Sequence, residues 1–380
     1  MREILYIVGA GLSKALEHPP NTVPLMGDFI SVMADHMRNP VIQKAMAKLL
    51  HEGALQWPLA GEISDFEKRI YGHHFPKHEE VQGISALIKR LPAENTEDIL
   101  SRSLNVINRI SFAINAMFCD INWNVNWASL DKFLSSQMAQ KETRHTFLSF
   151  NYDLLLDSRV QKISPEFGLI WNPLDGYGFV ADGLADSQGD IEPTLPECSD
   201  ITELQRRLEK RSGSNLQVAS TIRILKPHGS LNWVVPFSGN YEFDVSPVAI
   251  IVGEENKIAY RSEFDIFDDG YWGIFVIPPV PPKESSQRFI QRTLDDEKEA
   301  LKEADDVYIL GWSMPKTDRK QVSLIREAVE QRGGKPFDKI TVINFGAEVE
   351  YFERVASVFG VNQGDLRVFN AGFCDFVQTL

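Results

Sequence analysis

Ile4-Leu5-Tyr6-Ile7-Val8-Gly9-Ala10-Gly11-Leu12-Ser13 is the stretch that decides the fold. Its apolar, β-prone first half reads as a strand buried on both faces. The two glycines that follow read as a tight turn into a helix. Such a turn can aim backbone N–H groups and a helix N-terminus at a pyrophosphate, because glycine adds no Cβ where a ligand must approach. It can equally be a tight connection with no ligand. A full dinucleotide fingerprint wants a third glycine where this chain has Lys14, and a second strand ending in an acid about 20 residues on. Asp28 has that spacing but follows the loop Pro19-Pro20-Asn21-Thr22-Val23-Pro24, which disfavours an ordinary dehydrogenase.

The far end of the chain supplies partners for this strand. Beyond Leu294 the pattern alternates: helix to Glu303, strand Val307 to Leu310, helix Arg319 to Gln331, strand Ile340 to Asn344, helix Ala347 to Phe359, strand Leu366 to Phe369. Alternation of this kind builds a parallel sheet covered by helices, and the first strand is expected in the same sheet. Asp295-Asp296-Glu297 reads as a helix start, where acids suit the macrodipole.

Between these ends, Ser31 to Lys141 has a helical pattern without a convincing strand, including a run from Thr96 to Phe118 that Asn95 can cap. Strand patterns return at Thr146 to Phe150, Ile222 to Leu225 and Ile274 to Ile277. A polar Gly/Asp/Pro-rich stretch from Gly176 to Asp200 reads as a surface loop, followed by a charged helix at Thr202 to Arg211. The expected fold class is α/β: a Rossmann-like, mostly parallel sheet with helices on both faces, formed by residues 1–30 and 142–380. Residues 31–141 form a helical insertion.

Composition bounds the function. The 380 residues are 43% hydrophobic and 24% charged, which is globular. A net charge of -14 opposes the counterion-release attraction behind non-specific nucleic-acid binding, so no direct nucleic-acid binding is expected. Cys119, Cys198 and Cys374 are scattered and make neither a disulfide framework nor a metal knuckle, which fits a reducing cytoplasm. No apolar run approaches the roughly 18 to 20 residues of a membrane span, and Ile4 to Val8 is too short for a signal segment; a soluble, unprocessed protein is expected. His73, His74 and His78 are not read as a metal site, because Pro76 breaks the helix that would align them. Trp123 and Trp127 read as helical packing rather than a base-stacking platform.

Two strand ends carry candidate chemistry. Phe147-Leu148-Ser149-Phe150 stops abruptly at Asn151-Tyr152-Asp153, which places Asn151 and Asp153 where open α/β sheets bind ligands. The alternative is that Asn151 ends the strand and Asp153 caps the helix Leu154 to Val160. Leu225-Lys226-Pro227-His228-Gly229-Ser230-Leu231-Asn232-Trp233 puts a histidine, able to move protons near neutral pH, directly after another strand. A lone histidine there can also be structural.

Taken together, Gly9-Ala10-Gly11-Leu12-Ser13, Asn151-Tyr152-Asp153, His228-Gly229-Ser230, Gly311-Trp312-Ser313, Ile343-Asn344 and Gly372-Phe373-Cys374-Asp375 follow the order and chain positions of sirtuin superfamily motifs. The chain resembles in particular the sirtuin-like domains of bacterial anti-phage defence proteins. That resemblance implies a phosphate site at Gly9, Ala10, Gly11 and Ser13, with Asp28 and Phe29 beside it as remnants of an acidic-Phe-Arg element. It implies that Asn151 holds the nicotinamide ribose and the attacking oxygen, Asp153 contacts the carboxamide and His228 is the base. Gly311 and Ser313 would touch phosphates or ribose, Asn344 the adenosine ribose, and Cys374 with Asp375 the adenine. Two departures redirect the chemistry: three scattered cysteines cannot build the four-cysteine zinc module of sirtuin deacylases, and Phe150 stands where a glutamine usually precedes the asparagine.

The expectation is therefore an NAD glycohydrolase, with NAD as substrate, no zinc, and nicotinamide and ADP-ribose as products. The resemblance also implies anti-phage defence, with activity released inside a homo-oligomer or beside a HerA-type ATPase or an Argonaute-like partner. The chain carries no Gly-x-x-x-x-Gly-Lys-Ser/Thr motif, so a motor would be another polypeptide. The alternatives are an NAD-dependent protein deacylase, a non-catalytic NAD or ADP-ribose sensor, and a structural or nuclease subunit of a DNA-translocating complex.

Overall fold

The computed structural model describes residues 1–17, 23–25, 114, 118, 125–173, 175–179, 181, 184–185, 220–236, 248–250, 272–277, 288–315 and 318–380. Asp28, Phe29, the histidines at 73, 74 and 78, the helix expected at Thr202 to Arg211, and most of both the expected helical insertion and the expected Gly176 to Asp200 loop lie outside these residues.

Strand β1 (Arg2–Val8) runs into helix α1 (Ala10–Leu16) through Gly9. After α2 (Trp127–Met138) come β2 (Thr143–Ser149), α3 (Leu155–Ile163), the short β3 (Leu184–Ala185), β4 (Arg223–Leu225), β5 (Gly229–Pro236), β6 (Val248–Ile250) and β7 (Trp272–Val276). The last part alternates strictly: α4 (Arg288–Glu303), β8 (Asp306–Leu310), α5 (Arg319–Glu330), β9 (Lys339–Ile343), α6 (Val349–Phe359), β10 (Leu366–Phe369) and α7 (Phe373–Gln378).

Six strands form one sheet in the order β10-β9-β8-β1-β2-β4, and every neighbouring pair is parallel. The architecture is the α/β, Rossmann-like one that the alternation implies. Counted along the chain, the sheet reads 6-5-4-1-2-3, so the winding reverses between β1 and β8. Such a reversal opens a crevice beyond the carboxyl ends of the strands, because the connections on either side leave in opposite directions. The ends of β1, β2, β4, β8 and β9 all carry residues singled out from the sequence.

Central position explains the composition of β1. Residues Ile4 to Val8 are buried, and Tyr6 stacks between Phe147 and Tyr308 at ring separations of 4.4 and 5.4 Å. Phe133 of α2 meets Tyr6 edge-on at 5.8 Å, which fastens that helix to the sheet. Among the described residues no helix is long and apolar enough to cross a membrane.

Two features differ from the sequence reading. Asp295-Asp296-Glu297 do not start a helix: α4 already runs from Arg288, and Glu297 sits in its middle, fully buried. Burial of Phe289, Ile290, Thr293 and Leu294 carries the helix upstream, and that apolar face outweighs the charge pattern. In addition, a second sheet of order β3-β6-β5-β7, which the sequence reading did not include, contains β5 antiparallel to both its neighbours. Strand β5 begins at the residue after His228, so this small sheet holds the histidine from its far side.

Candidate active site

The crevice is built from two loops that touch back to back. Gly9 N–H donates to the Leu310 carbonyl and Gly11 N–H to the Gly311 carbonyl, each at 3.0 Å. A Cβ on Gly9 would stand 2.6 Å from Trp312 Cα, and one on Gly11 would stand 2.7 Å from the Gly311 oxygen. Gly311 has φ +62°, and its Cβ would meet the Leu12 nitrogen at 2.4 Å. The room those glycines leave is thus filled by the neighbouring loop, and the Gly11 N–H is engaged by protein. Their first task is to let the β1 and β8 turns meet at the reversal point.

Ser13, on the first turns of α1, links this turn to β2. Its hydroxyl donates to Asp153 Oδ2 at 2.8 Å and accepts from Asn151 Nδ2 at 3.0 Å. Asn151 Nδ2 also donates to the Gly9 carbonyl at 3.2 Å. All three side chains are buried. The amide is thereby held by its nitrogen, while its oxygen Oδ1 is buried with no hydrogen-bond partner among the described residues. An unsatisfied buried acceptor costs about 1–3 kcal/mol, which a donor placed on Oδ1 would recover.

Asp153 makes the helix-start contact that is one of its two readings from the sequence. Its Oδ1 accepts the Leu155 N–H at 3.1 Å, so it does close the start of α3, while Oδ2 faces Ser13. Burial pushes its carboxyl above the usual carboxylate range, opposed by Lys226, Ser13 and the Leu155 N–H.

Below Asp153 lies a network that the sequence reading missed. Lys226, fully buried, donates from Nζ to the Asp153 carbonyl at 2.7 Å and stands 3.4 Å from both Asp157 carboxylate oxygens. Tyr177 donates to Asp157 at 2.7 Å, and Asn232 Nδ2 donates to the Tyr177 hydroxyl at 2.8 Å. A buried cation needs paired and hydrogen-bonded surroundings, and these residues provide them. The sequence clue was a lysine at the end of an apolar strand, two residues before His228.

His228 follows β4, which pairs with β2, so it and Asn151 leave adjacent strand ends. Its carbonyl accepts the Ile277 N–H at 2.8 Å. The neighbouring Tyr152 hydroxyl donates to the Ile277 carbonyl at 2.6 Å, which ties the β7 end to the β2 end. The imidazole is buried and lies beside Phe150 at 5.3 Å between ring centres, with Trp312 against Phe150 at 4.9 Å. The residue that replaces the expected glutamine is therefore an aromatic wall for the histidine.

The remaining candidate residues lie apart from this cluster. Ala10 is half-buried at the first position of α1. Ser313 is exposed and lines an open cleft of about 630 Å³ with Arg326, Glu348, Tyr351 and Arg354, a cleft that includes none of Asn151, Asp153 or His228. Asn344 follows β9; its Oδ1 accepts the Phe345 N–H at 2.9 Å, and its carbonyl accepts the Gly372 N–H at 2.9 Å. Cys374 is half-buried, with Sγ donating to the Ala15 carbonyl at 3.1 Å, and Asp375 is exposed on α7. Thus Gly9, Gly11, Ser13, Asn151, Asp153 and Gly311 form one connected cluster. Ser313 and Asn344 flank it at neighbouring strand ends, and Cys374 packs on α1. Among the described residues no group of three or more His, Cys, Asp or Glu side chains could hold a metal ion.

No protein-family model matches this chain, and no curated protein matches it.

Proposed function

We propose that this chain is a sirtuin-like NAD glycohydrolase, splitting NAD and water into nicotinamide, ADP-ribose and a proton. The observation that carries the proposal is the Asn151 amide: it is immobilised through Nδ2 at the end of β2, and its buried oxygen is left open to a donor beside the sheet's reversal point. A ribose hydroxyl or an attacking water is such a donor.

In the proposed reaction nicotinamide leaves with the electron pair of its glycosidic bond, because departure restores a neutral ring. The ribosyl centre passes through an oxocarbenium-like transition state, so positioning outweighs acid assistance. Asn151 Oδ1 aligns water, or a ribose hydroxyl, near the anomeric carbon. His228 takes the proton from the attacking oxygen, and such acid–base assistance typically supplies about 10²-fold to 10⁴-fold. Asp153, held by Ser13 and Lys226, orients the carboxamide. Release of this activity within an oligomer or a defence complex belongs to the same proposal, since unrestrained loss of NAD harms the host cell.

The test is nicotinamide release by the purified full chain, alone and with candidate partner proteins. Asn151→Ala and His228→Ala are each expected to lower release at least about a hundredfold with folding retained. Unchanged turnover in either variant removes that residue's role. Absence of release under every condition, combined with clear ADP-ribose binding, replaces the hydrolase with a sensor.

A further inference from the structure

We propose that Asp318, a residue the motifs do not include, is the electrostatic partner of His228, its carboxylate stabilising the protonated form of the ring; this rests on the reading of His228 as the base. Asp318 occupies the N-cap position of α5, where an aspartate ordinarily accepts a helix N–H. Here the side chain makes no capping bond. Its Oδ2 instead accepts the Trp312 indole N–H at 3.3 Å, and its Oδ1 stands 4.0 Å from His228 Nε2. Both side chains are buried, at 3% exposure for His228 and 2% for Asp318.

The topology gives this contact meaning. His228 belongs to the half of the sheet formed by β1, β2 and β4, whereas Asp318 follows β8 in the other half. The His228–Asp318 contact therefore joins the two halves, and the mutual fit of Gly9, Gly11 and Gly311 sets how closely the β1 and β8 turns approach. Phe150 packs at a tilt between the His228 ring and Trp312, and the His228 carbonyl is anchored to Ile277. Phe150 thus lies beside the imidazole while its Nε2 faces a carboxylate.

When His228 accepts a proton, the O–H bond of the attacking water breaks, an N–H bond forms on the ring, and the new C–O bond replaces the departing C–N bond. The ring gains a full positive charge in a buried place. An opposite charge about 4 Å away favours that charge far more there than in water. Other titratable groups nearby are Glu297 on α4 and Tyr152 after β2, both close enough to Asp318 to feel its charge, with Lys226 and Asp153 across the strand ends. The readout must therefore belong to His228 itself.

The experiment is a pH titration of the full chain labelled with ¹³C-histidine, the His228 ring resonance being assigned by its loss in H228Q. In D318N, whose amide oxygen can still accept from Trp312, the midpoint is expected to fall by about one unit or more. D318E, which keeps the charge, is expected to stay near the wild type. W312F, which leaves the carboxylate in place, is expected to hold the midpoint at or above the wild-type value, a check that does not require D318N to fold. In nicotinamide release, D318N is expected to lower kcat about tenfold or more, with KM for NAD nearly unchanged and partial rescue in D318E. An unmoved midpoint in folded D318N, an equal fall in D318E, or a fall in W312F overturns the pairing. If the wild type releases no nicotinamide, the proposed function fails, while the titration still decides the pairing.

Discussion

Substituting Gly311 by alanine tests whether the crevice depends on the close approach of two turns. Gly311 and Gly333 share φ +62°, yet a Cβ on Gly311 would lie 2.4 Å from the Leu12 nitrogen, whereas one on Gly333 would meet nothing within 4 Å. Both variants carry the left-handed backbone penalty of about 1–2 kcal/mol. Only G311A adds overpacking against backbone, typically about 1–3 kcal/mol because backbone cannot rotate aside. G311A is therefore expected to be less stable than G333A by about 1–3 kcal/mol. For a chain of this size unfolding as one unit, this difference lowers the melting temperature by roughly 1–4 °C. The functional split is sharper. Displacing the β1 turn moves the Gly9 carbonyl that holds Asn151 Nδ2, and a shift near 1 Å in a positioning group costs about 10²-fold in rate. Thermal melting and nicotinamide release, measured on both variants, check the reasoning. Equal melting temperatures, or full release by G311A, would refute it.

Burial lowers the pKa of His145 to about 4, below its ordinary value near 6.5. The unfolded chain thus takes up a proton that the folded chain refuses, and stability falls by about 3 kcal/mol as pH drops from 6.5 to 4; H145Q is expected to flatten that part of a stability–pH profile. Glu297 acts in the opposite sense, because burial raises its carboxyl well above the usual range, so that the folded protein loses stability as pH rises. E297Q is expected to raise the melting temperature more at pH 8 than at pH 4.5, and an equal change at both would count against the assignment.

Local sequence determined the elements that form the sheet. An unbroken apolar strand, glycine turns and 3.6-residue periodicity are short-range signals, and they placed β1, β2, β4, β8, β9 and β10 within a few residues of where they lie. The same signals put Asn151, His228, Gly311 and Asn344 at strand ends, since abrupt polar residues after apolar runs mark where a strand stops. Tertiary structure alone decided which strand ends are neighbours. The order 6-5-4-1-2-3 arises from long-range pairing, and it is this pairing that brings Asn151, Ser13 and Asp153 into one hydrogen-bonded cluster. Glu297, Lys226 and Asp318 show the limit most clearly. Each reads as an ordinary charged or capping residue in its own segment, and each is buried because partners from distant segments surround it. A side chain's burial depends on what packs over it, and that depends on how the two halves of the sheet meet at Gly9, Gly11 and Gly311.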